Sequence, residues 1–164
     1  MYPIHATIKK LLDEEWFEEA MTRIAELGEK RDQSSVEFLI DILVESQNTL
    51  VRNEVAIALK DIGDNRAVCP LIEALSNAEM RKSRGTLLYA MEDMQYEAYI
   101  EIIVALIGDA NLEVRLQSFL LFEKVADKLS EQQKMICKNV ILQFKAVSAN
   151  ANEMLDEALD LLRN

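Results

Sequence analysis

Apolar residues recur along this chain every three or four positions, which is the spacing of an amphipathic helix. In the stretch 51–62, the apolar residues at positions 51, 55, 58, 59 and 62 form one stripe. Asn48 stands where its side chain would cap the first turn, and Gly63 where a left-handed residue would end the helix. A second apolar run at 67–75 has Pro70 in its first turn, which needs no backbone donors. These runs predict two successive helices joined by a short connection.

The same arrangement is repeated along the chain. Copies of the motif Asn-x-x-(Val or Met)-Arg end at Arg52, Arg81 and Arg115, at spacings of roughly 29 and 34 residues. The helix that precedes the motif recurs in the stretches 36–43, 68–75 and 99–106. A period of this length is typical of stacked helix pairs. The pattern therefore predicts an all-α fold of about ten helices in five antiparallel pairs, without a sheet.

Capping boxes mark two further helix starts, one at Ser34 with Glu37 and one at Ser130 with Gln133. We expect one repeat domain that spans the chain, 1–164. Its approximate repeats are 1–32, 33–63, 64–94, 95–129 and 130–164.

The first repeat is predicted by sliding the central pattern back by 35 positions, which places Asp13 on Asn48. Asp13, Glu14 and Glu15 would then lie in the first turn of a helix, where the helix dipole favours negative charge. Glu18 and Glu19 would lie beyond that turn. With the amphipathic Trp16 they are candidates for contact with a basic partner, and the alternative is a solvated acidic surface.

The residues of the stretch 48–76 follow one family pattern closely. They are Val51-Arg52, Ala56, Ala58-Leu59, Ile62-Gly63-Asp64, Ala67-Val68, Leu71-Ile72 and Ala74-Leu75. This pattern resembles HEAT repeats, specifically the short HEAT-like class named after phycobilisome lyases. Cys69 stands in the slot of the family's usual proline, and the polar run 80–85 departs from the small apolar residues expected there, so the third pair is expected to pack least regularly. The resemblance implies a right-handed α–α superhelix, a solenoid whose second helices line a concave surface, and it does not imply lyase activity.

The three motif arginines occupy the position where HEAT repeats keep a basic residue. The resemblance implies that each guanidinium pairs with a carboxylate or carbonyl near the preceding turn, such as Glu45 or Asp109, and links successive repeats. The alternative is a ladder of arginines that binds an anionic ligand, which the acidic surroundings argue against.

Residues opposite the core stripe of the second helices are expected along the concave face. They are Asn53, Ile57, Lys60, Lys82, Thr86, Tyr89, Leu116, Leu120 and Glu123. Several are apolar where water would be expected, which favours a binding patch; burial against neighbouring turns is the alternative. The hypothesised partner-binding residues are Ile57, Lys60, Tyr89, Leu116, Leu120 and Glu123, together with Trp16, Glu18 and Glu19.

The net charge of −11 argues against partners that are themselves anionic. Nucleic acid and anionic membrane surfaces would be repelled, whereas a basic protein or peptide would be attracted. No apolar run approaches the ~18 residues of a membrane span, and the N-terminal stretch lacks a signal-peptide pattern. We therefore expect a cytoplasmic protein, with a monomer favoured. Cys69 and Cys137 lie among apolar residues and are expected to be buried free thiols.

Catalytic motifs are not recognisable in this sequence. His5 is the only histidine and lies near the N-terminus, where chains are often disordered, so no Ser–His–Asp or Cys–His arrangement is expected. The four glycines do not form a phosphate-binding loop, and the His-Glu metal motifs of the HEAT-repeat hydroxylases are absent. We expect no enzyme activity, no cofactor and no metal.

Three functions agree with these features. The first is a non-enzymatic protein-binding scaffold that presents a rigid curved surface to a protein or peptide. The alternative is a small acidic immunity or inhibitor protein that neutralises a basic toxin or nuclease. The third, a lyase-like or chaperone role for a bilin chromophore, follows from the family name alone.

Overall fold

The computed structural model describes residues 3–147 and 153–163. All regular elements within these ranges are helical, which confirms the predicted all-α fold. The ten α-helices described are α1 (Pro3–Asp13), α2 (Phe17–Glu29), α3 (Val36–Glu45), α4 (Thr49–Ile62), α5 (Val68–Ser76), α6 (Arg84–Ala90), α7 (Ile100–Ala105), α8 (Leu112–Val125), α9 (Glu131–Val147) and α10 (Glu153–Leu161).

Short 3₁₀ segments precede or follow several of these helices. They are Gln33–Ser35, Asn65–Ala67, Ala78–Ser83, Glu97–Tyr99, Leu106–Gly108 and Ala126–Lys128. The longest, Ala78–Ser83, contains most of the polar run expected to disturb the third helix pair, and it shortens α6 to Arg84–Ala90. A 3₁₀ turn replaces the α-helical start because this run offers few apolar residues to an i, i+3, i+4 stripe.

The chain divides into two compact units, which are described separately. Unit one is Met1–Gln95 and contains α1 to α6; unit two is Tyr96–Asn164 and contains α7 to α10. That the whole chain forms one repeat domain stays a prediction.

In unit one, the second helices of successive pairs lie side by side, as expected for stacked repeats. Helix α2 packs on α4, and α4 packs on α6. Ile24 of α2 and Val55 and Leu59 of α4 are fully buried. Each helix pair thus covers the apolar face of its neighbour, which is how repeat proteins build a continuous core.

Gly28 sets the distance between α2 and α4. A Cβ atom at this position would lie 2.8 Å from the Ala58 Cα atom and 3.1 Å from the Ala58 Cβ atom. The two helix backbones therefore approach each other where neither helix carries a large side chain.

In unit two, α7 packs on α8 and α9, and α10 packs on both α8 and α9. Phe122 of α8 and Ile141 of α9 are fully buried. The Tyr96 hydroxyl is also buried and donates to the Leu121 carbonyl over 2.9 Å, so this unit encloses a satisfied polar contact as well as apolar side chains.

The predicted helix cap at Asn48 is confirmed, and Asn111 of the third motif copy caps α8 in the same way. Asn48 accepts from the backbone N–H groups of Leu50 and Val51, and Asn111 accepts from the corresponding groups of α8. Gly63 has a φ of 71°, in the left-handed region, and ends α4 as expected. The capping box at Ser130 and Gln133 is confirmed because each side chain bonds to the backbone N–H of the other residue.

The capping box predicted at Ser34 and Glu37 is wrong. Asp32 supplies the cap instead, because its carboxylate accepts from the backbone N–H and the hydroxyl of Ser34. Glu37 lies 3.1 Å from Arg66, with which it forms an ion pair. Aspartate two residues earlier in the sequence competes for the same backbone donors, and its shorter side chain fits the turn.

The placement of the first acidic run is also wrong. Helix α1 extends to Asp13, and the chain reverses through Glu15, whose φ of 59° is left-handed, before α2 begins at Phe17. Asp13 therefore ends α1, and Glu18 and Glu19 are the acidic residues in the first turn of α2. The helix dipole stabilises Glu18 and Glu19, and it opposes charge on Asp13.

Two of the three motif arginines bind carbonyls near the preceding turn. Arg52 donates to the Ser46 carbonyl over 2.9 Å and to the Glu79 carbonyl of the next helix pair over 3.4 Å. Arg115 donates to the carbonyls of Asp109 and Ala110 over 3.0 and 3.2 Å. These contacts confirm that both arginines bind carbonyls near the preceding turn, and the bond to Glu79 also links Arg52 to the next helix pair.

In the third helix pair, Arg84 rather than the motif residue Arg81 binds a carbonyl of the preceding helix. Arg81 is exposed on the 3₁₀ segment, whereas the Arg84 Nε atom donates to the Leu75 carbonyl over 3.0 Å. The 3₁₀ start rotates side chains differently from an α-helix, so the arginine one turn later faces the preceding turn.

Replacing Gly28 with alanine is expected to destabilise the protein by about 1–3 kcal/mol, because the added methyl group would meet the backbone of α4. Urea unfolding followed by circular dichroism measures the change. Glu29→Ala, at the adjacent exposed position of α2, is the control and should change stability by less than about 0.5 kcal/mol. Equal stability of Gly28→Ala and the wild type would contradict the close approach of α2 and α4.

Replacing Arg52 with glutamine is expected to cost about 2–4 kcal/mol of unfolding free energy, because the Ser46 and Glu79 carbonyls would lose their donor at a site where Arg52 is only 3% exposed. Arg115→Gln is the matched variant and should cost about 1 kcal/mol, since its site is more accessible to water. Chemical denaturation of both variants provides the comparison. Equal losses of unfolding free energy in the two variants would show that neither burial nor the bond to Glu79 increases the contribution of Arg52 to stability.

Candidate functional site

A row of exposed leucines runs along α8 in unit two. Leu112, Leu116 and Leu120 are 55%, 43% and 52% exposed and stand four residues apart, so they follow one side of the helix. The opposite side is also apolar, with Val114 and Leu121 buried in the core. We call Leu112, Leu116 and Leu120 the leucine ridge.

Sequence reasoning predicted Leu116 and Leu120 as exposed apolar residues, and the structure exposes both. It missed Leu112, which extends the same row by one turn. The signal was available, because Leu112 precedes Leu116 by four positions and opens the helix after the Asn111 cap.

Glu123 is exposed near the C-terminal end of α8, on the rim of a shallow groove of about 300 Å³. Phe119 of α8 and Glu157, Asp160 and Leu161 of α10 line the same groove. Asp160 forms an ion pair with Arg163 at 2.6 Å. Acidic groups therefore border an apolar surface at this end of α8.

The three predicted concave-face residues of unit one, Ile57, Lys60 and Tyr89, have different surroundings. Lys60 Nζ lies 4.5 Å from the centroid of the Tyr89 ring, 3.2 Å from the Glu92 carboxylate and 3.5 Å from the Asp93 carboxylate. Burial opposes the charge of Lys60, but its hydrogen bond to Glu92 and the nearby negative groups outweigh burial and raise the pKa of Lys60. Its charge is thus already paired within the protein.

Tyr89 is exposed, whereas Ile57 is half-buried. Lys60 and Tyr89 therefore form one cluster, whereas Ile57 is partly covered by the surrounding protein. Of the three, Tyr89 is the most exposed.

Trp16, Glu18 and Glu19 lie at the turn between α1 and α2, and all three side chains are exposed. Among the described residues, the carboxylates of Glu18 and Glu19 make no ion pair or side-chain hydrogen bond. They remain candidate contacts, in a different place from the Lys60 and Tyr89 cluster on α4 and α6.

A larger groove, which sequence reasoning missed, lies in unit one where α1 and α3 end and α2 and α4 begin. Its volume is about 400 Å³. Its apolar surface is provided by Leu12, Phe17, Phe38 and Ile42, and its charged lining by Asp13, Asp41, Glu45 and Lys9. Asp41 and Glu45 stand four residues apart on α3, a spacing that also occurs on ordinary solvated helices. The sequence therefore does not indicate the groove, which forms only when α1 lies beside α3.

His5 takes part in a buried polar chain that the sequence did not predict. Its Nε2 atom lies 2.7 Å from the Ser35 hydroxyl, which in turn donates to the Asp32 carboxylate over 2.8 Å. Because Ser35 has one hydroxyl proton and gives it to Asp32, His5 Nε2 acts as the donor to Ser35. The His5 ring also stacks on Phe38 with centroids 4.2 Å apart.

The expectation that His5 lies where chains are often disordered is wrong, because His5 is a buried residue of helix α1. The order of the groups nevertheless differs from that of a catalytic triad, in which histidine stands between serine and aspartate. Ser35 is completely buried and gives its proton to Asp32 directly, so it is not placed as a nucleophile.

The pKa values of this chain follow from the same contacts. Burial lowers the pKa of His5, and the Asp32 carboxylate opposes this effect only in part. The hydroxyl groups of Ser34 and Ser35 donate to Asp32 and lower the pKa of its carboxyl group. At neutral pH the chain therefore joins a neutral imidazole to a charged carboxylate.

The two cysteines differ from each other. Cys137 is buried as expected, and burial raises the pKa of its thiol to about 11. The expectation for Cys69 is wrong, because it is exposed on α5 with its sulfur 3.5 Å from the Glu73 carboxylate. Position 69 lies in the first turn of α5, on the side opposite the core residues Leu71 and Leu75.

In the part of the chain that the structure describes, His, Cys, Asp and Glu side chains do not form a group of three suited to holding a metal ion. None of the described helices combines the length and apolar character needed to cross a membrane.

A family model of HEAT repeats matches residues 6–91, which is just over half of the chain. The chain belongs to the HEAT-repeat family. The matched HEAT region runs from α1 to the end of α6 and so includes the stacked second helices, the Arg52 contacts and the larger groove. Its closer resemblance to the phycobilisome-lyase class stays a prediction.

A search of curated proteins found no match to this HEAT-repeat chain. The leucine ridge, Leu116 and Leu120 included, lies outside the matched residues, in unit two. The HEAT pattern therefore accounts for the helix pairs of unit one and supplies no specific role for the surfaces of either unit.

His5 gives this HEAT protein a pH dependence of stability that is testable between pH 7 and pH 5. The unfolded state takes up a proton near the ordinary histidine pKa of about 6.5. Folded His5 resists protonation, so stability is fully present above that pKa and is lost as the pH falls through it. His5→Gln should therefore lose less thermal stability than the wild type between pH 7 and pH 5.

Thermal melting at several pH values makes this comparison. Asp32 also contributes to the pH dependence of stability. Because its pKa is lowered in the folded protein, that contribution is lost only near pH 4 and below. If wild type and His5→Gln lose the same stability between pH 7 and pH 5, His5 is accessible to protons in the folded state and the buried chain is contradicted.

Proposed function

We propose that this HEAT-repeat protein is a non-enzymatic scaffold that binds another protein or a peptide, with the leucine ridge as its principal contact surface. The observation that carries the proposal is the row of Leu112, Leu116 and Leu120 on the exposed side of α8. Single exposed leucines are common on protein surfaces, but three in a row form a continuous apolar strip. HEAT repeats commonly act as protein-interaction scaffolds, which agrees with this role.

The energy available at the ridge indicates how large the contact must be. Complete burial of a leucine side chain is worth about 1.5–3 kcal/mol, so covering three half-exposed leucines contributes about 3 kcal/mol. Association itself costs about 4–15 kcal/mol in lost freedom. The ridge alone is therefore insufficient, and a partner must also contact neighbouring residues.

Phe119 and Glu123 supply such neighbours on the same helix, with Glu157 on α10 across the shallow groove. An apolar centre with acidic groups at its edge suits a partner whose apolar contact is surrounded by basic side chains. The net charge of −11 favours the encounter with a basic partner over a nucleic acid or an anionic membrane.

We propose a binding role without catalysis, cofactor or metal for this protein. The environment of His5 supports this, because the only histidine of the chain is buried against Phe38 and bonded to Ser35. The raised pKa of Cys137 and its burial likewise make a poor nucleophile. We retain a cytoplasmic, monomeric protein as part of the proposal.

The test compares two leucine variants of the full-length protein in affinity capture from the native host. Leu120→Asp introduces a charge into the ridge, whereas Leu142→Asp makes the same change on α9 at a leucine of similar exposure, 44% against 52%. Both should keep the wild-type circular dichroism spectrum because both side chains face solvent. We expect Leu120→Asp to reduce capture of a specific protein at least tenfold and Leu142→Asp to retain it.

Capture repeated at low and high salt then separates the two kinds of contact. Retention at high salt would support an apolar ridge, since salt screens exposed charges but not apolar burial. Unfolding of Leu120→Asp would show that the ridge belongs to the core, and unchanged capture by a folded Leu120→Asp would remove the ridge from the proposal. The inhibitor alternative predicts in addition that expression of the protein protects cells from a basic toxin in a growth assay.

A further inference from the structure

The larger groove of unit one has features that identify a class of ligand. We call it the acidic groove and define it by its apolar floor, Leu12, Phe17, Phe38 and Ile42, and its carboxylate rim, Asp13, Asp41 and Glu45. None of the nine hypothesised partner-binding residues lines it. It is therefore a separate surface from those considered above.

The rim carboxylates have no partner of opposite charge. Within the ranges 3–147 and 153–163, Asp13, Asp41 and Glu45 form no ion pair, although Lys9 also lines the groove. The lining thus carries three negative charges against one positive charge. All three rim side chains are exposed, so water screens the repulsion between their charges. Their carboxylates are also accessible to a cationic side chain of a ligand.

Helix ends of both signs meet at the groove. Asp13 and Glu45 are the last residues of α1 and α3, whose C-terminal ends carry partial negative charge. Helices α2 and α4 begin at the same groove with positive ends; the Asn48 side chain caps α4, and Glu18 and Glu19 lie in the first turn of α2. These contributions oppose each other, so the negative charge of the groove comes chiefly from its rim carboxylates.

The floor of the groove is apolar and held in place from behind. Phe38 stacks on the buried His5 ring at 4.2 Å, and His5 is fixed by its hydrogen bond to Ser35. Phe17 opens α2 and is half-buried. A preformed apolar floor lowers the entropy cost of accepting a ligand.

We propose that the acidic groove binds a peptide segment of a partner protein in which a lysine or arginine stands next to a bulky apolar residue. The volume of about 400 Å³ lies in the range of small-ligand sites and accommodates a few side chains. The rim complements the cation, and the floor complements the apolar side chain. This proposal rests on the proposed protein-binding function and adds a second contact surface to it, in the other compact unit.

The combination of rim and floor separates this occupant from simpler ones. An anionic segment would meet three unpaired carboxylates, and a purely polar cation would leave the exposed parts of the apolar floor in water. A segment with both kinds of side chain satisfies the two parts of the groove together.

Purified full-length protein, labelled with ¹⁵N, is titrated with synthetic hexapeptide probes in a two-dimensional NMR experiment. The first probe is acetyl-Gly-Arg-Leu-Arg-Phe-Gly-amide. The second replaces its leucine and phenylalanine with serine, and the third replaces its arginines with glutamate. We expect saturable shifts at groove residues with the first probe, at least tenfold weaker binding of the second, and no binding of the third.

Two isosteric double variants locate the charge that matters. D41N/E45Q removes two rim carboxylates, and E29Q/D61N removes the same number at the opposite ends of α2 and α4. Because D41N/E45Q removes two of the three rim charges that would pair with the arginines, it should weaken binding of the first probe about tenfold. E29Q/D61N should stay within about twofold of the wild type, and circular dichroism checks that both variants are folded.

Equal weakening by both double variants would overturn the proposal, since it would show attraction by net charge alone. Shifts located outside the groove, or stronger binding of the polar second probe or of spermidine than of the first probe, would also overturn it. These outcomes are independent of the test at Leu120. If Leu120→Asp loses capture and the first probe does not bind the acidic groove, the scaffold proposal is retained and only the groove proposal is rejected.

Discussion

The contact of α2 with α4 determines how the helix pairs of unit one stack. Each pair exposes an apolar face that is stable only when another pair covers it, and α4 is covered by α2 on one side and α6 on the other. Gly28 lets the backbones of α2 and α4 approach, because any side chain there would meet Ala58. The positions of the acidic groove and of the Lys60 and Tyr89 cluster both follow from this stacking.

Polar groups inside unit one are placed to support that stacking. Arg52 is buried, yet it pairs with carbonyls rather than carboxylates, and one of them belongs to the next helix pair. A guanidinium is suited to this task because its rigid fork presents several donors at once. His5, Ser35 and Asp32 connect α1 to the start of α3 in a comparable way. Both arrangements join polar groups of successive helix pairs, where apolar packing alone would not fix the register.

The surfaces left over from packing have two different characters. The leucine ridge is apolar along its length and lies in unit two, whereas the acidic groove of unit one combines an apolar floor with unpaired carboxylates. In the proposed binding role, the ridge would act by excluding water, and the groove would act by charge complementarity as well.

The sequence alone determined the helices, most of the helix ends predicted from it and the family, because the helices and their ends depend on interactions within a few residues. The Asn48 cap, the Gly63 end and the Ser130 capping box are all local hydrogen-bonding problems that the chain order states directly. The first repeat was placed wrongly because the left-handed turn at Glu15 shifts α2 relative to the repeat pattern.

Tertiary structure decided the rest. It joined His5 to Ser35, thirty residues away, and set Leu12 of α1 beside Ile42 of α3 to form a groove. It also exposed Cys69 and passed the arginine contact of the third pair to Arg84. Such pairings depend on how the helices rotate and approach when they pack, and a period of three or four residues carries no information about that.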